Sequence, residues 1–196
     1  MQQRDNYRFL TSAPVPKVIG SLATPAIVSM LMTSFYNMAD PYFVGRINTQ
    51  ATAAVGVTFA LMSVIQAIGF FFGQGSGTYI SRQLGARHEK EAQEMASLSF
   101  VLAIGFGVMI TILGLIFIRP LSIILGSTET ILPYTEQFMS MVLLGAPFMI
   151  GTMTLNNQMK FQGNALLAMY GVLSGAVVNL ILVPFFTFTC GWGIFG

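Results

Sequence analysis

The nine basic and seven acidic side chains of this 196-residue chain are placed so unevenly that five long stretches carry none of them. Residues 18–39, 47–81, 95–118, 137–159 and 161–196 contain no Asp, Glu, Lys or Arg and run for 22, 35, 24, 23 and 36 residues. A bilayer core of about 30 Å takes about 20 helical residues to cross. Each stretch therefore holds one span, and the two longest are still too short for two crossings and a turn. Spans are predicted near 18–44, 52–79, 94–118, 132–158 and 165–188. Charged residues are 8% of the chain, against roughly 25% in an ordinary soluble domain, so they are too few to cover a water-soluble globule. Alternation with period two is absent, and runs such as residues 101–117 are apolar all round, as a lipid-buried helix is and a barrel strand is not. The expected fold class is all-α, a polytopic membrane helix bundle of five complete spans and the start of a sixth. Residues 1–17 form an N-terminal segment and 18–196 the transmembrane lobe.

Orientation follows from the basic side chains. With the N-terminus inside, Arg4, Arg8, Lys17, Arg82, Arg87, Lys90 and Lys160 fall on the cytoplasmic side and only Arg46 and Arg119 outside, as the positive-inside rule requires. The expected location is the inner (cytoplasmic) membrane, with the N-terminus cytoplasmic. Residues 190–196 read as the lead-in to another apolar helix, so the chain is expected to be truncated there. A net charge of +2 gives nucleic acid no electrostatic footprint. Cys190 is the one cysteine and can form no internal disulfide. The one histidine, His88, lies among Arg87, Glu89 and Lys90, and no serine has a histidine base within reach. No catalytic site, metal centre or cofactor is expected, and the chain does not read as an enzyme.

An intramembrane carboxylate costs about 2.5 to 3.5 kcal/mol on insertion scales. Asp40 lies 23 residues beyond Lys17, about 34 Å of helix, which puts it in the outer half of the membrane or at its outer edge. Thr33, Tyr36, Asn37 and Asp40 follow spacings of three and four and share one face. Pro41 lacks an N–H and crowds the carbonyl of Asn37, freeing a backbone oxygen one turn below the carboxylate. That face gathers oxygens for a proton or a cation. The alternative is an interfacial Asp that ends its helix in water.

The last span repeats the device. Gly171, Gly175 and Asn179 are spaced by four, which predicts a small-residue face for close helix approach ending in an amide, and Pro184 frees the carbonyl of Leu180. Asn179 is either interhelical glue or part of a transport site, to which broken helices with polar residues at matched depth point. Gly69, Gly73, Gly77, Ser81 and Gly85 predict a second packing face. Gln66 sits mid-span as an interhelical hydrogen-bonder or, with Met38, as cavity lining. Asn156, Asn157, Gln158, Lys160 and Gln162 cluster where the fourth span meets the cytoplasm and are expected to cap that helix. Thirteen Met and seventeen Phe suit a soft pocket for apolar or cationic guests, or plain lipid-facing packing.

Residues Tyr36-Asn37-Met38-Ala39-Asp40 with Phe43-Val44-Gly45-Arg46, Ile80-Ser81-Arg82-Gln83-Leu84-Gly85, Asn156-Asn157 with Gln162-Gly163-Asn164, and Asn179 followed by Val183-Pro184 together resemble, in order, the multidrug and toxic compound extrusion (MATE) transporters. The resemblance implies the N-terminal one of two six-helix lobes that face each other across a central cavity, as far as the start of the sixth helix. It implies export of organic, often cationic, compounds in exchange for inward-moving protons or sodium. Asp40 matches the first-helix acid of the family, with Tyr36 beside it, and Asn179 the fifth-helix asparagine. Two positions depart: Val183 stands where many members carry an acid, and Pro41 where threonine is common. One carboxylate serves sodium poorly, since a hard cation wants about six oxygens. The proton is therefore the expected coupling ion, with sodium the alternative. Neutral Asp40 would favour one packing of the first helix and ionised Asp40 another that accepts a cationic guest, so proton and drug would exclude each other reciprocally. The implied partners are small organic cations, the lipid bilayer, and either a missing C-terminal lobe or a second copy of the chain. Two other readings stay open. One is a lipid-linked oligosaccharide flippase of the same superfamily, which the lack of basic residues inside any span disfavours. The other is a truncated lobe that does not transport.

Overall fold

A computed structural model describes residues 13–45 and 49–185, with the backbone alone for 36–45, 49, 51, 183 and 184. The expectations for residues 1–12, for Cys190 and for the lead-in to a sixth helix lie outside the described residues. Among the described residues six helices follow in order: α1 Val15–Gly45, α2 Thr49–Gly85, α3 Glu89–Ile116, α4 Ile118–Ile124, α5 Leu132–Phe161 and α6 Ala165–Pro184. Five of them, all but α4, are long and apolar enough to cross a membrane. No strand occurs among the described residues.

The third apolar stretch does not stay helical to residue 118. The α3 helix stops at Ile116, Phe117 turns out of helical geometry at φ −105° and ψ 25°, and α4 restarts one residue later. Pro120 is the cause, because it cannot donate to the carbonyl of Ile116 and its ring crowds that oxygen. Helices α2, α4 and α5 end in the same backbone motif. His88 N–H donates to Gln83 O (2.9 Å), Ser127 N–H to Ser122 O (3.0 Å) and Asn164 N–H to Met159 O (3.0 Å), each closing a turn around a left-handed residue. Those residues are Arg87, Gly126 and Gly163, at φ 64°, 102° and 81°.

The bundle is built in two groups. Helices α2, α3 and α5 pack mutually, with α2 against α5 the most extensive interface, while α1 packs chiefly on α6. Small residues set the distances. A Cβ on Gly69 would lie 2.9 Å from the Cβ of Met153, one on Gly73 would lie 2.8 Å from the Cβ of Asn157, and one on Gly77 would overlap the ring of Phe161. The paired numbers rise together, so α2 and α5 run parallel. Gly107 meets Pro147 and Gly114 meets Leu143, and there the numbers run oppositely, so α3 is antiparallel to α5. This is the alternation expected of successive crossings.

Polarity is distributed as lipid would have it. Phe71, Phe148 and Ile124 are 75%, 75% and 80% exposed, while Thr58, Ser122, Thr135 and Thr154 are fully enclosed. A water-soluble surface would not tolerate so continuous an apolar exterior, whereas small and hydroxylated residues belong at helix contacts inside a membrane.

Two packing expectations need correction. Gly85 has open space around it, so the α2 face ends at Gly77. Gly171 and Gly175 also face open space. Close approach by α6 is made instead by Ala165, Ala168 and Ala176, which are buried at helical spacing. Glycine at i, i+4 marks where a helix can be approached, and the alanine stripe, almost as small, is the one turned toward the neighbours.

Candidate functional site

The oxygen-bearing face of α1 rises from a series of hydroxyls that bond back to their own helix. Thr24 donates to Gly20 O, Ser29 to Pro25 O, Thr33 to Ser29 O and Ser34 to Met30 O, at 2.8 to 3.0 Å. Half-buried Thr33 has thus committed its proton and keeps only lone pairs for a ligand. The backbone continues as helix through Tyr36, Asn37, Met38 and Asp40 and past Pro41 to Gly45. Their side chains lie outside the described residues, as does that of Val183.

On α6 the alanine stripe Ala165, Ala168 and Ala176 leads three residues on to Asn179. Asn179 is half-buried, and its Oδ1 is enclosed with no hydrogen-bond partner among the described residues. It is the one side-chain polar atom so stranded among them. Leaving a buried acceptor unpaired costs about 1 to 3 kcal/mol, so such an atom calls for an explanation. Since α1 and α6 pack on each other directly, the helix that carries Asp40 and the helix that carries Asn179 are neighbours. Gln66 belongs to the other group of helices. It is half-buried on α2, three residues before Gly69, and its side chain makes no hydrogen bond among the described residues.

Of the amide cluster at the end of α5, Gln162 is the C-cap residue, its backbone N–H donating to Gln158 O, while the three amides before it face other helices. Successive residues on a helix point about 100° apart, and three consecutive amides reach three neighbouring helices. Asn156 Nδ2 donates to Ala168 O of α6 at 3.0 Å. Asn157 sits against Gly73 of α2 and donates to Met153 O of its own helix at 2.8 Å. Gln158 Nε2 donates to Ser99 Oγ of α3 at 2.7 Å and to Ser76 Oγ of α2 at 3.1 Å. The cluster ties both helix groups to one end of α5.

Pro147 lies inside α5 and leaves the carbonyl of Leu143 without its helical donor. Thr111 Oγ1 of α3 supplies the replacement at 2.5 Å, while Gly107 on the same helix gives Pro147 room. A proline four residues after Leu143 was visible in the sequence, but its partner on α3 was not. Among the described residues no group of three or more His, Cys, Asp or Glu gathers to hold a metal ion.

Comparison with known proteins gives one consistent picture. A family model described as MatE matches residues 25–185. The FAD transporter of Shewanella oneidensis is 29% identical over 182 residues, covering 93% of this chain and 40% of that protein. Multidrug export protein MepA of Staphylococcus aureus is 28% identical over 181 residues, covering 92% and 40%. The solved structure of a MOP superfamily transporter from Pyrococcus furiosus superposes with a TM-score of 0.90 at 29% identity, over 97% of this chain and 42% of that one. The chain spans about two fifths of the length of the curated relatives it matches.

Proposed function

Because the chain belongs to the MatE family, whose model covers residues 25–185, we propose that it forms the N-terminal lobe of a two-lobe exporter of organic, often cationic, compounds. Transport is driven by inward-moving protons across the inner membrane, with the N-terminus cytoplasmic. A relative named a multidrug export protein supports the cargo class, while one named a FAD transporter supports an organic cargo only, since FAD is an anion. The second lobe, supplied by a separate chain or a second copy, closes the central cavity.

The observation that carries the reading is the stranded Oδ1 of Asn179 on a helix packed against α1. A bare acceptor accommodates a proton donor or a cation and repels a carboxylate. Neutral Asp40 has an O–H to donate and ionised Asp40 has none. Protonation of Asp40 therefore draws α1 onto α6 through Asn179, and ionisation releases α1 and leaves a negative group for a cationic guest. The lone pairs of Thr33 and the carbonyls freed by Pro41 and Pro184 complete the polar surroundings. With Val183 in the position of a second acid, the site holds a proton better than sodium, which wants about six oxygens.

The test replaces Asp40 with Asn in the assembled transporter, reconstituted in vesicles under an imposed pH gradient. Expression should survive, pH-driven efflux of a cationic dye should be lost, and Asp40→Glu should restore part of it. Undiminished efflux by Asp40→Asn would remove Asp40 from the mechanism.

A further inference from the structure

Two cavities meet on α2, and the proton cycle uses neither. The first, of about 380 Å³, is lined by Gln74, Asn157, Lys160 and Phe161. The second, of about 510 Å³, runs between α2 and α3 past Phe71, Leu98 and Leu102, and Gln74 lines it as well. Because α2 and α5 run parallel, Lys160 lies at the same end of the bundle as the 82–94 loop, at a membrane face.

The first cavity is a set of donors. Lys160 is half-buried and has no ion-pair partner among the described residues. Gln74 makes no hydrogen bond there through its side chain, and Asn157 has spent one N–H on Met153 O and keeps the other. No carboxylate lines the cavity. Two acids of α3 are paired at their own helix end, Glu94 with Lys90 at 4.0 Å and Glu91 with His88 at 3.8 Å. An ammonium drawn partly out of water without a counter-ion is costly, and a carboxylate or phosphate relieves that cost through charge-assisted hydrogen bonds.

The second cavity is a groove of the opposite kind. Phe71 and Leu98 are 75% and 56% exposed, on helices long and apolar enough to cross a membrane. Its two serines, Ser76 and Ser99, are already bonded to Gln158. It offers an alkyl chain apolar contact and little else. A cationic pocket that shares Gln74 with an apolar groove at a membrane face has the form of a site for acidic lipid.

We propose that pocket and groove together bind an anionic amphiphile, its phosphate or carboxylate head at Lys160, Gln74 and Asn157 and its alkyl tail along Phe71 and Leu98. The head group is that of a bilayer phospholipid, and the experiment separates this from a pocket for a free anion. The full chain in neutral detergent is offered equal phosphatidylglycerol and phosphatidylcholine of the same acyl length, and retained lipid is read by native mass spectrometry. Phosphatidylglycerol should be retained about tenfold over phosphatidylcholine. Lys160→Met should erase that preference and Lys160→Arg should keep it. Gln74→Leu, at an exposed position, should weaken it should Lys160→Met fail to fold. Leu98→Trp, which fills the groove, should lower retention of both lipids. Equal retention of the two lipids by the unaltered chain, or an unchanged preference in Lys160→Met, overturns the proposal. So does complete displacement of phosphatidylglycerol by inorganic phosphate together with indifference to Leu98→Trp, which would leave a free-anion pocket. None of these readings depends on Asp40 or on transport.

Discussion

Pro147 removes a backbone donor from the middle of α5, and Thr111 on α3 replaces it across the helix interface. Inside a bilayer no water stands ready to satisfy a freed carbonyl, so that hydroxyl is expected to contribute more to stability than its exposure suggests. Replacing Thr111 with Val keeps the shape and should cost about 1 to 2 kcal/mol in detergent unfolding. In a Pro147→Ala background the cost should shrink, because the helix then supplies its own donor to Leu143 O. Costs that simply add would refute the pairing. At this scale the sequence was legible wherever chemistry is local. Proline predicts a freed carbonyl, and Asp40 and Asn179 stand out as polar groups in apolar runs. What fills a freed carbonyl depends on a residue 32 positions away, and no spacing rule reaches that far. The amides Asn156, Asn157 and Gln158 differ from the predicted cap for the same reason, since each is explained by a different neighbouring helix.

Among the helices, length and boundaries follow from the bilayer and from breakers, which is why five apolar stretches became five long helices. Pro120 could have located the break after Ile116, but the apolar run continues through it and masked the signal. Faces are harder to read. The stripe Gly69, Gly73 and Gly77 does pack closely, against Met153, Asn157 and Phe161, whereas Gly171 and Gly175 on α6 meet nothing. Spacing by four makes a face available for contact, and only the arrangement of the other helices decides whether it is used. A paired experiment separates the two cases. Gly107→Ala drives a methyl to 2.5 Å from the Cα of Pro147 and should lower stability by about 1 to 3 kcal/mol through helix separation. Gly171→Ala enters open space and should be neutral or stabilising by about 0.5 to 1 kcal/mol from helix propensity. Thermal unfolding in detergent checks both, and equal losses would mean that α6 packs through its glycines after all.

For the molecule as a whole, the division into α2, α3 and α5 on one side and α1 with α6 on the other gives the proposed cycle its moving part. The first group is held by close glycine contacts and by the Gln158 hydrogen bonds to Ser76 and Ser99. The second meets it through narrower interfaces, so α1 and α6 can change their mutual packing without disturbing that core. The membrane class and the family were legible from charge spacing and from motifs in order. The two-group construction was not, since it is a property of which faces meet. The central claim is that one proton on Asp40 and one cationic cargo exclude each other. Linkage makes this directly measurable, because cargo that binds only the ionised form must expel the proton it displaces. The measurement is net proton release on adding a cationic drug to the assembled transporter in weakly buffered detergent, across a pH series. Release should rise to about one proton per drug bound as the starting pH falls, and Asp40→Asn should release none. Equal release from the variant, or drug binding by the unaltered protein with no proton release at any pH, would contradict the account.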